Sequence, residues 1–129
     1  MSADRKKRLA KLVYLQRQLK AYHETRHSGH LAAAQAAEEE ARQIAERVDD
    51  PGSLSALFPD IYHNRIAGAL QRRDHSLSQA EEEARRVATA TLRVNRVEEA
   101  YREVARLVDG RAADKERLEI VERKLAADK

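Results

Sequence analysis

The stretch His23-Glu24-Thr25-Arg26-His27 is the place where residue types and spacing point most directly to chemistry. On a helix, two histidines four residues apart share a face and can hold zinc, while a glutamate after the first activates a bound water. A catalytic zinc needs a third protein ligand and an open coordination position. His30 lies on the same helix, without the longer spacing that recruits a third histidine. Glu46 sits at a suggestive sequence distance, but a continuous helix holds it about 28 Å away along the axis. His63 and His75 could approach only from a second helix. Two helices alone offer no cleft to enclose a substrate. The five residues therefore read as polar positions along a helix edge. No catalytic residue, metal site or cofactor is expected, and the chain is not read as an enzyme.

Two acidic runs, Glu38–Glu40 and Glu81–Glu83, each precede arginines. Carboxylates and guanidinium groups one turn apart pair on a wet helix face, so both runs read as solvated. No glycine-rich phosphate loop and no Ser-His-Asp set can be assembled. The cluster Arg5-Lys6-Lys7-Arg8 opens the chain with positive charge. Positive charge at a helix N-terminus is mildly unfavourable, which suggests an acidic protein surface as its partner. Nucleic acid is not expected, because no stacking aromatics accompany the cluster.

These side chains must be carried on helices. The chain has 129 residues, of which 36% are charged, with no Trp, one Phe and two Pro. Much of its 42% hydrophobic fraction is alanine. Alanine, leucine, glutamate, arginine and lysine are strong helix formers, and charge of both signs with helical periodicity reads as coiled coil. The absence of cysteine excludes a disulfide framework and suits a reducing cytoplasm. No apolar run is long enough for a bilayer-spanning helix, so membrane insertion is not expected.

One helix is expected from about residue 4 to 48, a turn over about 49–59, and a second helix over about 60–125. Pro51-Gly52 breaks the first helix, and Pro59 suits the first turn of the second. Together they form one domain, an all-α, two-helix antiparallel coiled-coil hairpin with unequal arms, roughly 70 and 100 Å long at about 1.5 Å per residue. On the first helix, Leu12, Leu15, Leu19 and Tyr22 step by three and four, as a seam requires. The seam is expected to continue through Arg26 and His30 to Ala34, Ala37, Ala41, Ile44 and Val48. The steps of four between Tyr22 and Ala34 imply a stutter. On the second helix the expected seam is Leu70, Arg73, Leu77, Ala80, Ala84, Val87, Thr91 and Val94, resuming in shifted phase at Val97, Tyr101, Val104 and Val108. Ser78 with Glu81, and Asp109-Gly110, are candidate helix breaks. Folding near Leu54 brings Leu12 near Val97 and Ile44 near Ile66. The second helix then overhangs the first, leaving Leu118, Val121 and Leu125 to self-associate or meet another protein. Tyr62, Ile66 and Leu70 share a face beside the turn and form a candidate binding patch.

The stretches Asn95-Arg-Val-Glu-Glu-Ala-Tyr101-Arg-Glu-Val and Lys115-Glu-Arg-Leu118-Glu-Ile-Val-Glu-Arg-Lys124, with the basic start and Pro/Gly turn, resemble the flagellar FliJ family and its YscO-like type III secretion counterparts. The resemblance covers nearly the whole chain. It implies a cytoplasmic stalk or adaptor of a protein export apparatus, monomeric or weakly self-associating. The paired terminal ends (Arg5, Lys6, Lys7, Arg8, Leu118, Val121, Leu125) would meet a hexameric export ATPase. The face by the turn (Tyr62, Ile66, Leu70 and, by the resemblance, Arg73) would meet the membrane export gate. Export chaperones are further implied partners. A general coiled-coil scaffold or chaperone that self-associates through the overhang is the alternative. The chain departs from the family in being short and poor in aromatic residues.

Overall fold

A computed structural model describes residues 2–128. The fold is all-α: α1 spans Ser2–Val48 and α2 spans Pro59–Ala127, packed against each other as a helical hairpin. No strand occurs among the described residues. Neither Ser78 nor Gly110 interrupts α2.

The turn is built by short polar side chains. The Gly52 N–H donates to the Asp50 carboxylate at 3.0 Å, an Asx turn in which the side chain mimics a backbone acceptor. Ser55 is buried, and its hydroxyl donates to the Val48 carbonyl at 2.9 Å. It thereby satisfies one of the carbonyls that the end of α1 leaves without a helical partner. The Leu57 and Phe58 amides both donate to the Leu54 carbonyl, and Pro59 then opens α2 where its missing N–H costs nothing. Arg47 in the last turn of α1 and Asp60 in the first turn of α2 each oppose the local helix dipole favourably.

The residues form two compact units. The first comprises Lys20–Thr89 and contains the turn. Its seam positions on α1 are Lys20, His23, His27, His30, Ala34, Ala37, Ala41, Ile44 and Val48, all buried or half-buried. On α2 they are Tyr62, Ile66, Ala69, Arg73, Ser76, Ala80, Glu83 and Val87. Steps of three and four alternate without a break along both, which is a strict heptad seam. Its core is mostly alanine, and Ile44 is its bulkiest fully buried aliphatic residue. The ion pairs Arg72–Glu40 at 2.8 Å and Arg73–Glu38 at 3.5 Å span the helices. Such exposed pairs contribute about 0–1 kcal/mol each, so they mark the register more than they stabilise it.

The second unit comprises Met1–Leu19 with Ala90–Lys129. Its shielded positions are Ser2, Lys6, Leu9, Val13 and Gln16 on α1, against Ala90, Val94, Val97, Tyr101, Val104 and Val108 on α2. Val13, Ala90, Val94 and Val104 are fully buried. Arg17 and Glu98 pair across at 2.7 Å, and Lys6 and Asp109 at 3.6 Å.

The expected seam is corrected in the N-terminal half of α1. Leu12, Leu15, Leu19 and Tyr22 are 41%, 62%, 40% and 54% exposed, and Arg26 also lies outside. Val13, Gln16, Lys20, His23 and His27 take the inward positions instead. There is no stutter in α1 and no phase shift at Val97. On α2, Leu77 and Ala84 face outward, while Leu70 and Thr91 lie half-buried beside the seam. The physical reason is continuity. The alanine-rich run from Ala34 to Val48 sets a phase, and alternating steps carry it backwards onto polar residues. Long polar side chains tolerate such positions by keeping their heads wet while burying their stems.

Candidate partner-binding surfaces

The H-E-x-x-H residues are placed by that seam. His23 points inward, and its Nδ1 lies 2.8 Å from Oε2 of Glu83. Arg26 donates through Nε to Oε1 of the same carboxylate at 3.0 Å, and Arg86 donates through Nη1 at 2.7 Å. Glu83 is fully buried. Glu24 faces outward and His27 is half-buried. Among the described residues, no group of three or more His, Asp or Glu side chains is arranged to hold a metal ion. The motif's first histidine is thus engaged in a structural cluster.

Burial alone would push the Glu83 carboxyl up. The hydrogen bonds from Arg26, His23 and Arg86 outweigh it and hold the group down to about 2. The Tyr22 ring supports the arrangement from outside. The Arg26 guanidinium lies over it at 5.6 Å, and His23 meets its edge at 5.3 Å. The acidic run therefore divides, against the expectation that all three residues are solvated. Glu81 and Glu82 are exposed and pair with Arg85 and Arg86 one turn on, whereas Glu83 falls on a heptad position and turns inward. The other run is more exposed: Glu39 pairs with Arg42 on its own helix, while Glu38 and Glu40 reach Arg73 and Arg72 on α2.

At the turn, Tyr62, Ile66, Leu70 and Arg73 are all half-buried. Tyr62, Ile66 and Arg73 are seam positions, and Leu70 lies beside them. The most exposed apolar surface there belongs to their neighbours. Leu54, Leu57, Phe58 and Ile61 are 57%, 72%, 50% and 55% exposed. Three of these four fall between Gly52 and Pro59. That placement was the available signal: large apolar residues within a short turn flanked by Gly and Pro lie outside the helical seam.

In the other unit, Arg5, Lys7 and Arg8 are exposed, and Lys6 is half-buried beside Asp109. Leu118, Val121 and Leu125 are 63%, 51% and 62% exposed. They lie on one face of α2 at spacings of three and four. Arg111 donates to the Ser2 hydroxyl at 2.9 Å. Among the described residues, no helix is long and apolar enough to cross a membrane.

No protein-family model matches the chain, and no curated protein or solved structure matches it either.

Proposed function

We propose that this chain is a non-enzymatic stalk or adaptor that works by binding other proteins at the turn of the hairpin and near its terminal ends. The observation that carries this reading is the quartet Leu54, Leu57, Phe58 and Ile61, exposed together over eight residues. Water gains nothing from such a cluster, and clustered apolar anchors with a charged surround suit a protein partner. The exposed stripe Leu118, Val121 and Leu125, with the basic residues Arg5, Lys7 and Arg8, supports a second contact.

The resemblance to the FliJ family makes this more specific. In that reading the protein works at the cytoplasmic face of a flagellar or type III export apparatus. The terminal ends meet the export ATPase hexamer, and the turn end meets the export gate. Tyr62, Ile66, Leu70 and Arg73 then hold the turn-end apolar quartet in place from the seam. The test is ATP hydrolysis by the cognate export ATPase with the chain added. Stimulation that is lost with Leu118→Asp/Leu125→Asp is expected, and an unchanged rate overturns the export reading. The same exposed stripe favours one alternative, a scaffold that self-associates through α2. Light scattering of a stable dimer, abolished by the same two substitutions, would select that alternative.

A further inference from the structure

We propose that the unit formed by Met1–Leu19 and Ala90–Lys129 carries a docking groove for an acidic amphipathic helix of a partner protein. The groove lies between α1 and α2, is open to solvent, and has a volume of about 290 Å³. Its lining is Leu9, Leu12, Gln16, Val97 and Ala100, with Arg93 and Arg96 along one side. This is small for a whole ligand, since small-molecule sites run from roughly 300 to 1,000 Å³ and enclose most of their ligand. It is suited to anchoring side chains from an elongated occupant.

The surface around it has the periodicity of a second seam. Leu12 and Leu19 are seven residues apart and share a face, as do Ala100 and Leu107 on α2. Leu15 lies one step further out. Leu12, Leu15, Leu19 and Leu107 are all exposed, at 41%, 62%, 40% and 56%. Apolar side chains on both helices thus flank the groove, and a third helix could dock there with anchors at i, i+3, i+4 and i+7.

Charge selects the occupant. Arg93 and Arg96 line the groove, and heptad spacing places Arg5 in line with Leu12 and Arg8 in line with Leu15. None of these four arginines makes an ion pair with a described residue, so their guanidinium groups are available to carboxylates of an occupant. Glu103 is the acidic neighbour on the same edge of α2 as Arg96. Carboxylates flanking an apolar stripe would complete these guanidinium groups with forked hydrogen bonds. The α2 stripe of a second copy fits less well, because Lys115, Arg117 and Lys124 outnumber Glu122 at the positions flanking Leu118, Val121 and Leu125.

The test uses the full chain and a labelled synthetic peptide of about five helical turns, with leucines at three–four spacing flanked by glutamates. A twin peptide carries lysines in place of the glutamates. Fluorescence anisotropy should show the acidic peptide binding about tenfold or more tighter than its twin, weakening as salt rises from about 0.05 to 0.3 M. Leu12→Asp and the pair Arg93→Glu/Arg96→Glu should each cut that binding about tenfold, with unchanged helicity by circular dichroism. Arg65→Glu, at an exposed position of the other unit, should leave it unchanged. Equal binding of both peptides, or binding indifferent to these substitutions, overturns the proposal. So does binding of phosphatidylserine vesicles without the peptide, or a dimer that buries Leu12.

Discussion

Replacing Ile44 by alanine tests the seam at the bulkiest buried aliphatic side chain of its unit. Ile44 is 5% exposed, and the other buried positions of its unit are mostly alanines, whose side chains cannot extend to fill a void. The substitution removes three carbon atoms, about 2.4 kcal/mol of transfer free energy at ~0.8 kcal/mol per methylene. Incomplete collapse around the site adds to this, and measured isoleucine-to-alanine costs run from about 2 to 5 kcal/mol. A loss of about 3 kcal/mol follows. For a chain of this size that lowers Tm by roughly 10 °C. The matched control is Leu15→Ala, which removes as many carbons from a side chain that is 62% exposed. Its expected cost is within about 0.5 kcal/mol. Thermal melts followed by circular dichroism, with urea titrations for the free energies, read both. Equal losses for the two substitutions would refute the placement of the seam.

Other outcomes follow from the same contacts. Val13→Ala, which trims a fully buried valine, should cost about 1–2 kcal/mol, whereas Leu12→Ala should cost less, and urea titration distinguishes them. Ser55→Ala leaves the Val48 carbonyl without its donor and should cost about 1 kcal/mol in the same assay. Glu83 is held below the ordinary carboxylate range, so its contribution is fully present above about pH 5 and is lost as pH falls towards about 2. Glu83→Gln should therefore lower Tm at pH 7, and its gap from the parent should narrow in acid. Leu57→Asp with Phe58→Asp should leave Tm nearly unchanged, because both side chains are exposed, yet abolish partner capture at the turn end in a pull-down.

The turn and the two helices were legible because their signals are local. Pro51, Gly52 and Pro59 act on the backbone at their own positions, and the run from Ala34 to Val48 offers its apolar residues in the phase the structure uses. The N-terminal half of the seam was not legible by counting apolar residues. There the leucines form a stripe one position away from the true seam, which carries Gln16, Lys20, His23 and His27. Carrying the strict heptad back from Ile44 would have found it. Glu83 was hidden by its neighbours, since three consecutive glutamates look alike until the helix phase turns one of them inward. Of the candidate surfaces, the Leu118, Val121 and Leu125 stripe is exposed as its spacing suggests. Tyr62, Ile66, Leu70 and Arg73 instead take half-buried places, because a face that is apolar at i and i+4 next to a turn is also the face that packs.

The phase of α1 decides which leucines are free to meet a partner, and it can be measured residue by residue. The chain has no cysteine, so single cysteines placed at 12, 13, 15, 16, 19 and 20 each report alone through their rate of alkylation by iodoacetamide. Cysteines at 12, 15 and 19 should react at rates close to that of a free thiol, and the one at 13 should be slowest, with 16 and 20 between. Protection at 12, 15 and 19 with free reaction at 13 would place the leucines in the seam and contradict both the fold phase and the groove built on it.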